Sequence, residues 1–262
     1  MSIVSGKSRL RRLFRADGRV LVVAMDHLSK PGRGMRCTDP GRVLSEATAA
    51  GADAVLLRHG LVDRYAGSLE RMGVILSVGR DAPNLDHAVE LALRLGADAV
   101  KADMFPGAPD PSAWAYVEPL AARCATWGMP LMAETIPVSF GASDAHTPGN
   151  LIDSARMGSD LGADIIKTMY TGDPASFREL VSFAGVPVIV LGGSSADGDA
   201  RTFFTTIKTA LDAGAAGAAV GRRIWQSERP GAMTGALARL IHEEVSVDAA
   251  IAELDRVVVG PR

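Results

Sequence analysis

The sequence predicts an α/β protein of the (β/α)8 TIM-barrel class, and three observations lead to that prediction. Eight short apolar runs alternate with longer stretches of helical periodicity, which is typical of a parallel sheet with crossover helices. The length of 262 residues fits a typical barrel of about 250 residues. A Gly-Ala-Asp element recurs at the start of several runs. Because no linker or low-complexity tract divides the chain, we expect a single barrel domain over residues 1–262.

The predicted strands are short and almost continuously apolar. Strands of this composition are typical of a parallel sheet that is covered on both faces. In chain order they are RVLVVAMDH, ADAVLLRHG, GVILSVGR, ADAVKADMF, MPLMAETIP, ADIIKTMY, VPVIVLGG and AGAAVGR. Eight strands of this kind predict a closed barrel.

The predicted helices lie between these strands, and several have Asp or Asn near their first residue, as N-caps do. They span residues 40–50, 85–95, 111–127, 150–161, 174–183 and 200–213. Near the end of the chain, HEEVSVDAAIAELDR (residues 242–256) predicts one amphipathic helix with a charged outer face.

The internal repeat relates two lysines to each other. Its copies GADAVLLRHG, GADAVKADMF and GADIIKTMYTG begin at residues 51, 96 and 162, and GAAGAAVGRR at residue 214 is a looser copy. The leading Gly suits the left-handed cap between a helix and a strand. Lys101 and Lys167 each lie five residues after their Gly. We therefore expect that if one of them points into the barrel, the other does too.

The composition is that of an ordinary globular protein, with 47% hydrophobic residues, 22% charged residues and a net charge of -2. This charge gives no reason to expect nucleic acid or an anionic membrane as a partner. Cys37 and Cys124 lack metal-ligand or redox spacing and suit a reducing compartment. No run has the features of a signal peptide or the ~18 apolar residues of a membrane span. We expect a cytoplasmic protein that needs no metal and no cofactor.

Lys167 most needs an explanation, because it lies inside the predicted sixth strand, within GADIIKTMYTGD. A core strand avoids lysine unless the ammonium group is paired or used. In general, a lysine confined among apolar side chains near another cation titrates at lower pH, and its neutral amine can attack a carbonyl. The resulting Schiff base is an electron sink for making or breaking an adjacent carbon–carbon bond. The competing interpretation is a structural lysine that snorkels to the barrel rim.

In this fold, function is built at the carboxyl ends of the strands. The candidate residues at those ends are Asp26, His27, His59, Lys101, Asp103, Glu134, Thr135, Lys167, Tyr170, Gly192, Gly193, Gly221 and Arg222.

A phosphate site is predicted where strands seven and eight end, in VLGGSS and AVGRR. Gly192 and Gly193 expose backbone N–H groups on one strand, and Gly221 precedes Arg222 on its neighbour, so that backbone donors and a guanidinium can converge on one phosphate. The competing interpretation is that these glycines only make tight turns.

The end of strand one carries a carboxylate and an imidazole, in VVAMDHLSKPGRG. Asp26 or His27 can move a proton there, and one of them can bind substrate hydroxyls. The alternative is that Asp26 caps the following loop and His27 packs against it. The glycine-rich loop is predicted to fold over a ligand, with Lys30 and Arg33 facing a second anionic group.

These motifs together resemble the archaeal-type class I fructose-bisphosphate aldolases and their relatives. ADIIKTMYTGD is similar to the Schiff-base strand of that family, PVIVLGG and AVGRRIWQSERP to its phosphate-binding strands, and VVAMDH to its first strand. The resemblance spans nearly the whole chain in the same order. It implies a lyase with Lys167 as the Schiff-base nucleophile and Asp26 as a substrate-binding or proton-handling carboxylate. The phosphate site that it implies consists of Gly192, Gly193, Gly221 and Arg222.

The resemblance implies chemistry more firmly than substrate, because the same group includes an aminodideoxyheptulosonate synthase and a thiolase for a phosphorylated quorum signal. We expect a phosphorylated ketose or keto substrate such as fructose 1,6-bisphosphate or dihydroxyacetone phosphate. Barrels of this kind commonly assemble through their helix faces, so a homo-oligomer is also expected.

The chain departs from the family pattern at the group that transfers protons. The family has a Tyr in a strand-five segment like Tyr-Pro-Arg-Gly, whereas TIPVSFG places Ile136 there. Isoleucine cannot carry a proton, so we expect His27, Glu134 or Tyr170 in that role. Lys101, which the family pattern lacks, is expected to tune Lys167.

Three other functions compete with the lyase. The first is a related transaldolase-type or thiolase-type transferase on a phosphorylated substrate. The second is a phosphosugar isomerase that uses His27 and Glu134 as acid and base without an imine. The third is a sugar-phosphate-binding protein that has lost catalysis.

Overall fold

The computed structural model describes residues 7–32, 35–69, 71–79, 85–193 and 199–255. Eight parallel strands close into a barrel in sequence order, and β8 pairs with β1 to complete it. The strands are Val20–Ala24 (β1), Ala54–Leu57 (β2), Gly73–Ser77 (β3), Ala99–Met104 (β4), Leu131–Thr135 (β5), Ile165–Thr168 (β6), Val188–Leu191 (β7) and Gly217–Val220 (β8). Each lies within one of the eight predicted runs, and the predicted TIM-barrel class is confirmed.

The helices surround the barrel. They are Pro40–Ala49 (α1), His59–Arg64 (α2), Leu85–Arg94 (α3), Val117–Thr126 (α4), Pro148–Asp160 (α5), Pro174–Ala184 (α6), Ala200–Asp212 (α7), Arg222–Trp225 (α8), Pro230–His242 (α9) and Val247–Asp255 (α10). In the part of the chain that the structure describes, no helix is long and apolar enough to cross a membrane.

The structure corrects three predicted helices. The helix predicted from residue 111 begins at Val117, because Pro111–Ala113 forms a separate 3-10 turn capped by Asp110. The helix predicted from residue 150 begins two residues earlier, with Pro148 in the first turn and the Thr147 side chain accepting a hydrogen bond as cap. The terminal helix predicted from residue 242 begins at Val247, because α9 ends at His242 and Glu244 has a positive φ of 54°.

The inside of the barrel is apolar up to the level of the site. Alternate residues of each strand point inward, and Ala99, Met132 and Ile165 belong to one buried cluster with side chains of β1, β2, β3, β7 and β8. Leu10 and Leu13, near the amino terminus, belong to the same cluster and close one end of the barrel. The larger apolar cluster lies between the strands and the helices.

His242 ties the end of α9 to the amino-terminal side of the barrel. Its Nδ1 lies 2.7 Å from Asp17 Oδ2, and its Nε2 lies 2.9 Å from Asp53 Oδ2. Burial alone would lower the pKa of His242, but the hydrogen bonds to Asp53 and Asp17 outweigh burial and raise its pKa above the ordinary value. Asp53 also accepts a hydrogen bond from Leu21 N of β1, at 2.6 Å.

We expect this cluster to make stability depend on pH. A histidine with a raised folded-state pKa contributes stability that is fully present below its unfolded value of about 6.5 and is lost as the pH rises through the folded value. His242→Gln should therefore lose more stability against urea at pH 6 than at pH 9. An equal loss of unfolding free energy at pH 6 and pH 9 would contradict the raised pKa of His242. The exposed His59→Asn, at the start of α2, is the control and should leave the stability unchanged at both pH values.

Candidate active site

A layer of buried ionic side chains covers the apolar interior at the carboxyl ends of the strands. Side chains two residues apart on a strand point to the same side. The residues that follow Ala99, Met132 and Ile165 by two positions are Lys101, Glu134 and Lys167, so these three also point into the barrel. These three side chains are at most 2% exposed. The repeat-based prediction that both lysines point into the barrel agrees with this placement.

Glu134 bridges the two lysines. The register sets Glu134 of β5 beside Lys167 of β6, and its Oε1 lies 2.9 Å from Lys167 Nζ while its Oε2 contacts Lys101 Nζ. Burial alone would raise the pKa of Glu134, but the positive charges of Lys101 and Lys167 lower its pKa to about 2. Glu134 is therefore a fixed anion between two ammonium groups.

Lys101 is the more strongly held of the two lysines. Besides Glu134, its Nζ lies 3.2 Å from Asp26 Oδ2 and 2.5 Å from Asp103 Oδ1. Burial favours the neutral amine, but the charges of Glu134, Asp26 and Asp103 outweigh it and raise the pKa of Lys101 well above its ordinary value. A lysine that stays protonated is a poor nucleophile.

The same charges keep Asp26 ionised. Burial would raise the pKa of this carboxyl, but Lys101 and Lys167 hold it well below its usual range. Asp26 Oδ2 also accepts a hydrogen bond from Ser77 Oγ at 3.1 Å.

Lys167 differs from Lys101 in its partners and its surroundings. Among the described residues, Glu134 is the one carboxylate within ion-pair distance of Lys167 Nζ. Lys167 also lines a cavity of about 270 Å³ at this end of the barrel, whereas Lys101 lies outside the lining. The geometry thus separates a lysine that borders the cavity from a lysine that is paired with three carboxylates.

The cavity contains most of the predicted binding residues. Its lining includes His27, Glu134, Lys167, Gly192, Gly193, Gly221 and Arg222. The catalytic candidates lie at the ends of β1, β5 and β6, and the proposed phosphate donors lie after β7 and β8, so both parts of the prediction face one space.

Space requires glycine at position 221 and leaves little room for a side chain at position 192. A Cβ on Gly221 would lie 2.7 Å from the carbonyl oxygen of Ala24, and a Cβ on Gly192 would lie 3.0 Å from the Cα of Val220. Gly193 has a φ of 63°, which favours glycine. The tight turns of the competing interpretation are therefore present, and the backbone that they form borders the cavity.

Besides Lys101 and Asp26, four candidates lie outside the lining. His59 is exposed at the start of α2, and Asp103 is occupied with Lys101. Thr135 is completely buried, and its carbonyl oxygen accepts a hydrogen bond from Thr168. Tyr170 was expected in strand six, but β6 ends at Thr168 and the Tyr170 ring packs against Phe177, with ring centroids 5.3 Å apart.

Phe140 lines the cavity although the sequence did not point to it. It is 40% exposed, stands edge-on to Phe105 with centroids 5.8 Å apart, and has the ammonium of Lys30 5.4 Å from its ring centre. Lys30 was expected to face a second anion and instead lies over this ring. Arg33, its predicted companion, lies outside the described residues, as do Ser194 and Ser195 of VLGGSS.

Comparison with known proteins places these observations in a family. The model of the DeoC/LacD family of aldolases matches residues 20–227. The 2-amino-3,7-dideoxy-D-threo-hept-6-ulosonate synthase of Halobacterium salinarum is 34% identical, over 97% of this chain and 98% of that protein. The 2-amino-4,5-dihydroxy-6-oxo-7-(phosphonooxy)heptanoate synthase of Streptomyces griseus is 32% identical over 89% of each chain. A class 1 fructose-bisphosphate aldolase of Halobacterium salinarum is 31% identical, over 91% of this chain and 96% of that protein.

Solved structures agree with these relatives. A Schiff-base-forming fructose-1,6-bisphosphate aldolase has a TM-score of 0.77 and 27% identity, over 90% of this chain and 99% of that one. An archaeal fructose-1,6-bisphosphate aldolase whose catalytic lysine is covalently bound to the carbinolamine intermediate has the same TM-score and identity, over 90% and 98%.

Proposed function

Since this chain belongs to the DeoC/LacD family of aldolases, we propose that Lys167 is the lysine with which it forms a Schiff base to a phosphorylated ketose or ketone. The protein is an enzyme of the class I aldolase type, which makes or breaks a carbon–carbon bond through an imine. The observation that carries the assignment of Lys167 is its position beside Glu134 in the cavity that the glycines after β7 and β8 also line.

The proposed reaction begins when the Lys167 amine adds to the substrate carbonyl, and loss of water gives the iminium ion. The Glu134 carboxylate, 2.9 Å from Lys167 Nζ, stabilises that positive charge and orients the side chain. Cleavage of the adjacent carbon–carbon bond delivers its electron pair to the iminium and leaves an enamine on Lys167. Protonation of the enamine carbon and hydrolysis then release the ketone and restore the amine.

The proposed phosphate site consists of the backbone after β7 and β8 together with Arg222. Backbone N–H groups near glycine can approach an anion closely, and a guanidinium can bind two of its oxygens. Gly192, Gly193, Gly221 and Arg222 border the cavity on the side that strands seven and eight form. We propose that they hold the substrate phosphate while its carbonyl lies at Lys167.

Arg222→Gln should weaken binding of the phosphate. A hydrogen bond to a charged group contributes about 1.5–3 kcal/mol, so KM for a phosphorylated substrate should rise about 10- to 100-fold, with a smaller change in kcat. The matched control is Arg223→Gln, because Arg223 lies over the Phe203 ring and outside the cavity lining. Equal KM values for Arg222→Gln and the wild type would contradict the phosphate assignment.

The reaction itself is tested by incubation with fructose 1,6-bisphosphate and separation of the products. An aldolase yields two triose phosphates, and dihydroxyacetone phosphate with an aldehyde yields the longer ketose in reverse. Rearrangement to an aldose without cleavage would favour the isomerase. Absence of turnover with these compounds and with other phosphorylated ketoses would contradict the lyase assignment.

A synthase that transfers the enamine fragment to a second aldehyde is the other candidate. It is favoured by the two relatives with synthase names, at 34% and 32% identity. A synthase would join a fragment of a ketose phosphate to an aldehyde that carries an amino group through a new carbon–carbon bond. This product should form faster than free ketone is released.

We also propose that residues 1–262 act as one domain, in the cytoplasm, as a homo-oligomer. Cys37 and Cys124 are both free thiols, which suits a reducing compartment. Trp127 and Phe183 are 50% and 54% exposed and give the outer helices apolar surface for contact with a second copy. Light scattering after size-exclusion chromatography would measure the mass of the assembly.

A further inference from the structure

We infer that His27, oriented by Asp26, is the catalytic residue that transfers the substrate hydroxyl proton when the carbon–carbon bond breaks or forms. The inference rests on the proposed Schiff-base function of Lys167 and deepens it, because it chooses one residue from three candidates.

The side chains of His27 and Asp26 are in contact. His27 Nδ1 lies 3.2 Å from Asp26 Oδ1, and neither atom has a hydrogen bond to any other described residue. Both atoms are buried. Two lone pairs at this distance would repel, so Nδ1 carries the proton and Nε2 carries the free lone pair of the neutral ring.

Part of the His27 ring borders the cavity, where a substrate would bind. The side chain of His27 is 24% exposed and lines the cavity with Lys167 and Glu134. Because Nδ1 is buried against Asp26, the exposure of the side chain comes from its other atoms, and Nε2 is the nitrogen among them. The basic nitrogen is therefore the one available to a hydroxyl in the cavity.

Glu134 and Tyr170, the other two candidates, are less suited to take this proton. Both Glu134 oxygens face lysines, and its pKa of about 2 makes it a weak base. Tyr170 packs on Phe177 outside the cavity lining. Ile136, next to Thr135 at the end of β5, is fully buried and has no group that could transfer a proton. Of the three candidates, His27 alone combines a cavity position with a free basic atom.

Four charged groups affect the pKa of His27. Lys101 affects His27 indirectly, through its contact with Asp26. Burial lowers the pKa of His27, Asp26 and Glu134 raise it, and Lys167 and Lys30 lower it, with a net decrease. His27 is therefore neutral at neutral pH. Lys101 holds Asp26 Oδ2 at 3.2 Å and so leaves Oδ1 to His27, which makes Lys101 a positioning residue.

The proposed step transfers one proton between the substrate hydroxyl and His27 Nε2. In cleavage, His27 Nε2 takes the proton of the hydroxyl on the carbon that leaves, and the oxygen lone pair forms the carbonyl of the aldehyde. The electron pair of the broken carbon–carbon bond moves to the iminium on Lys167 and forms the enamine. In synthesis the imidazolium returns the same proton to the new alkoxide.

The experiment compares the wild type with His27→Asn, His27→Gln and the exposed control His87→Asn. We expect kcat for cleavage of fructose 1,6-bisphosphate to fall about 10²- to 10⁴-fold in both His27 variants, the usual contribution of a general base. Borohydride should still trap dihydroxyacetone phosphate on Lys167 in those variants, since this adduct forms without carbon–carbon cleavage. His87→Asn should match the wild type in both assays.

A pH profile separates a catalytic role from a structural one. The wild-type rate should decrease as the pH falls below 6.5, which forms the acid limb of its pH profile. His27→Asn should lack this limb. The second ionisation of the phosphate, near pH 6, is common to both proteins, so the difference between the two profiles is diagnostic. A ¹⁵N-histidine NMR spectrum of the wild type provides a measurement that does not depend on variant folding. It should show His27 as the Nδ1–H tautomer at neutral pH.

Each outcome decides one of the two proposals. Normal turnover in His27→Asn, an unchanged acid limb, or an Nε2–H tautomer would overturn the role of His27 while leaving Lys167 as the nucleophile. Loss of the trapped adduct together with turnover in both folded His27 variants would also overturn it. Absence of an adduct in the wild type would instead overturn the Schiff-base function.

Discussion

Replacing Lys167 with Ala should abolish turnover while leaving the barrel folded. The imine cannot form without this amine, so we expect kcat to fall by at least about 10⁴-fold, in the range seen when a covalent nucleophile is removed. The fold should persist because Glu134 keeps Lys101 as its partner. Steady-state cleavage of a ketose phosphate and circular dichroism measure the two effects.

Two matched variants separate the amine from its charge. Lys167→Arg keeps a cation beside Glu134 but cannot form the imine, so it should be as inactive as the Ala variant and closer to the wild type in stability. Lys208→Ala, on the outer helix α7, should keep full activity. Retained turnover in Lys167→Ala would show that the reaction does not use this lysine.

Replacing Lys101 with Met should cost the protein much of its stability. Lys101 is the common partner of Glu134, Asp26 and Asp103, and its removal leaves buried carboxylates without it. Breaking a buried ion pair by removing one partner typically lowers the free energy of unfolding by about 3–5 kcal/mol. Urea unfolding at pH 7 measures the effect.

The stability deficit of Lys101→Met, which is its loss of unfolding free energy relative to the wild type, should be larger at neutral pH than in acid. In the wild type, the lowered pKa of Glu134 contributes stability above its unfolded value near 4.5, and this contribution is lost as the pH falls toward 2. Lys101 provides most of that lowering, so the deficit should be largest at neutral pH and shrink in acid. Lys208→Met breaks the pair with Asp212 one turn away on a helix and should cost less than about 1 kcal/mol. Equal losses for the two variants would contradict the central role of Lys101.

The architecture was predictable because it depends on local patterns. Each predicted apolar run contains one strand, and the repeat gave Lys101 and Lys167 the same orientation because alternation within a strand is short-ranged. The break at Glu244 was not predictable, because the apolar pattern continues across a residue whose backbone turns left-handed.

The site was only partly predictable, because its contacts join different strands. The position of Glu134 near the site follows from the sequence, but its bridge between both lysines does not, since the register of β5 against β4 and β6 is set by barrel closure. For the same reason it did not separate Lys101, with three carboxylate partners, from Lys167, with one. Phe140 reaches the cavity from a loop, and no spacing in the sequence marked it.

Lys167 is proposed to form the imine. Borohydride reduction in the presence of dihydroxyacetone phosphate tests this claim most directly. The intact mass of the protein should increase by one reduced adduct, and peptide mapping should locate that adduct on Lys167. No adduct with this ketone or with a panel of phosphorylated ketones would contradict the claim. An adduct on Lys101 would contradict it equally, because it would reverse the roles assigned to the two lysines.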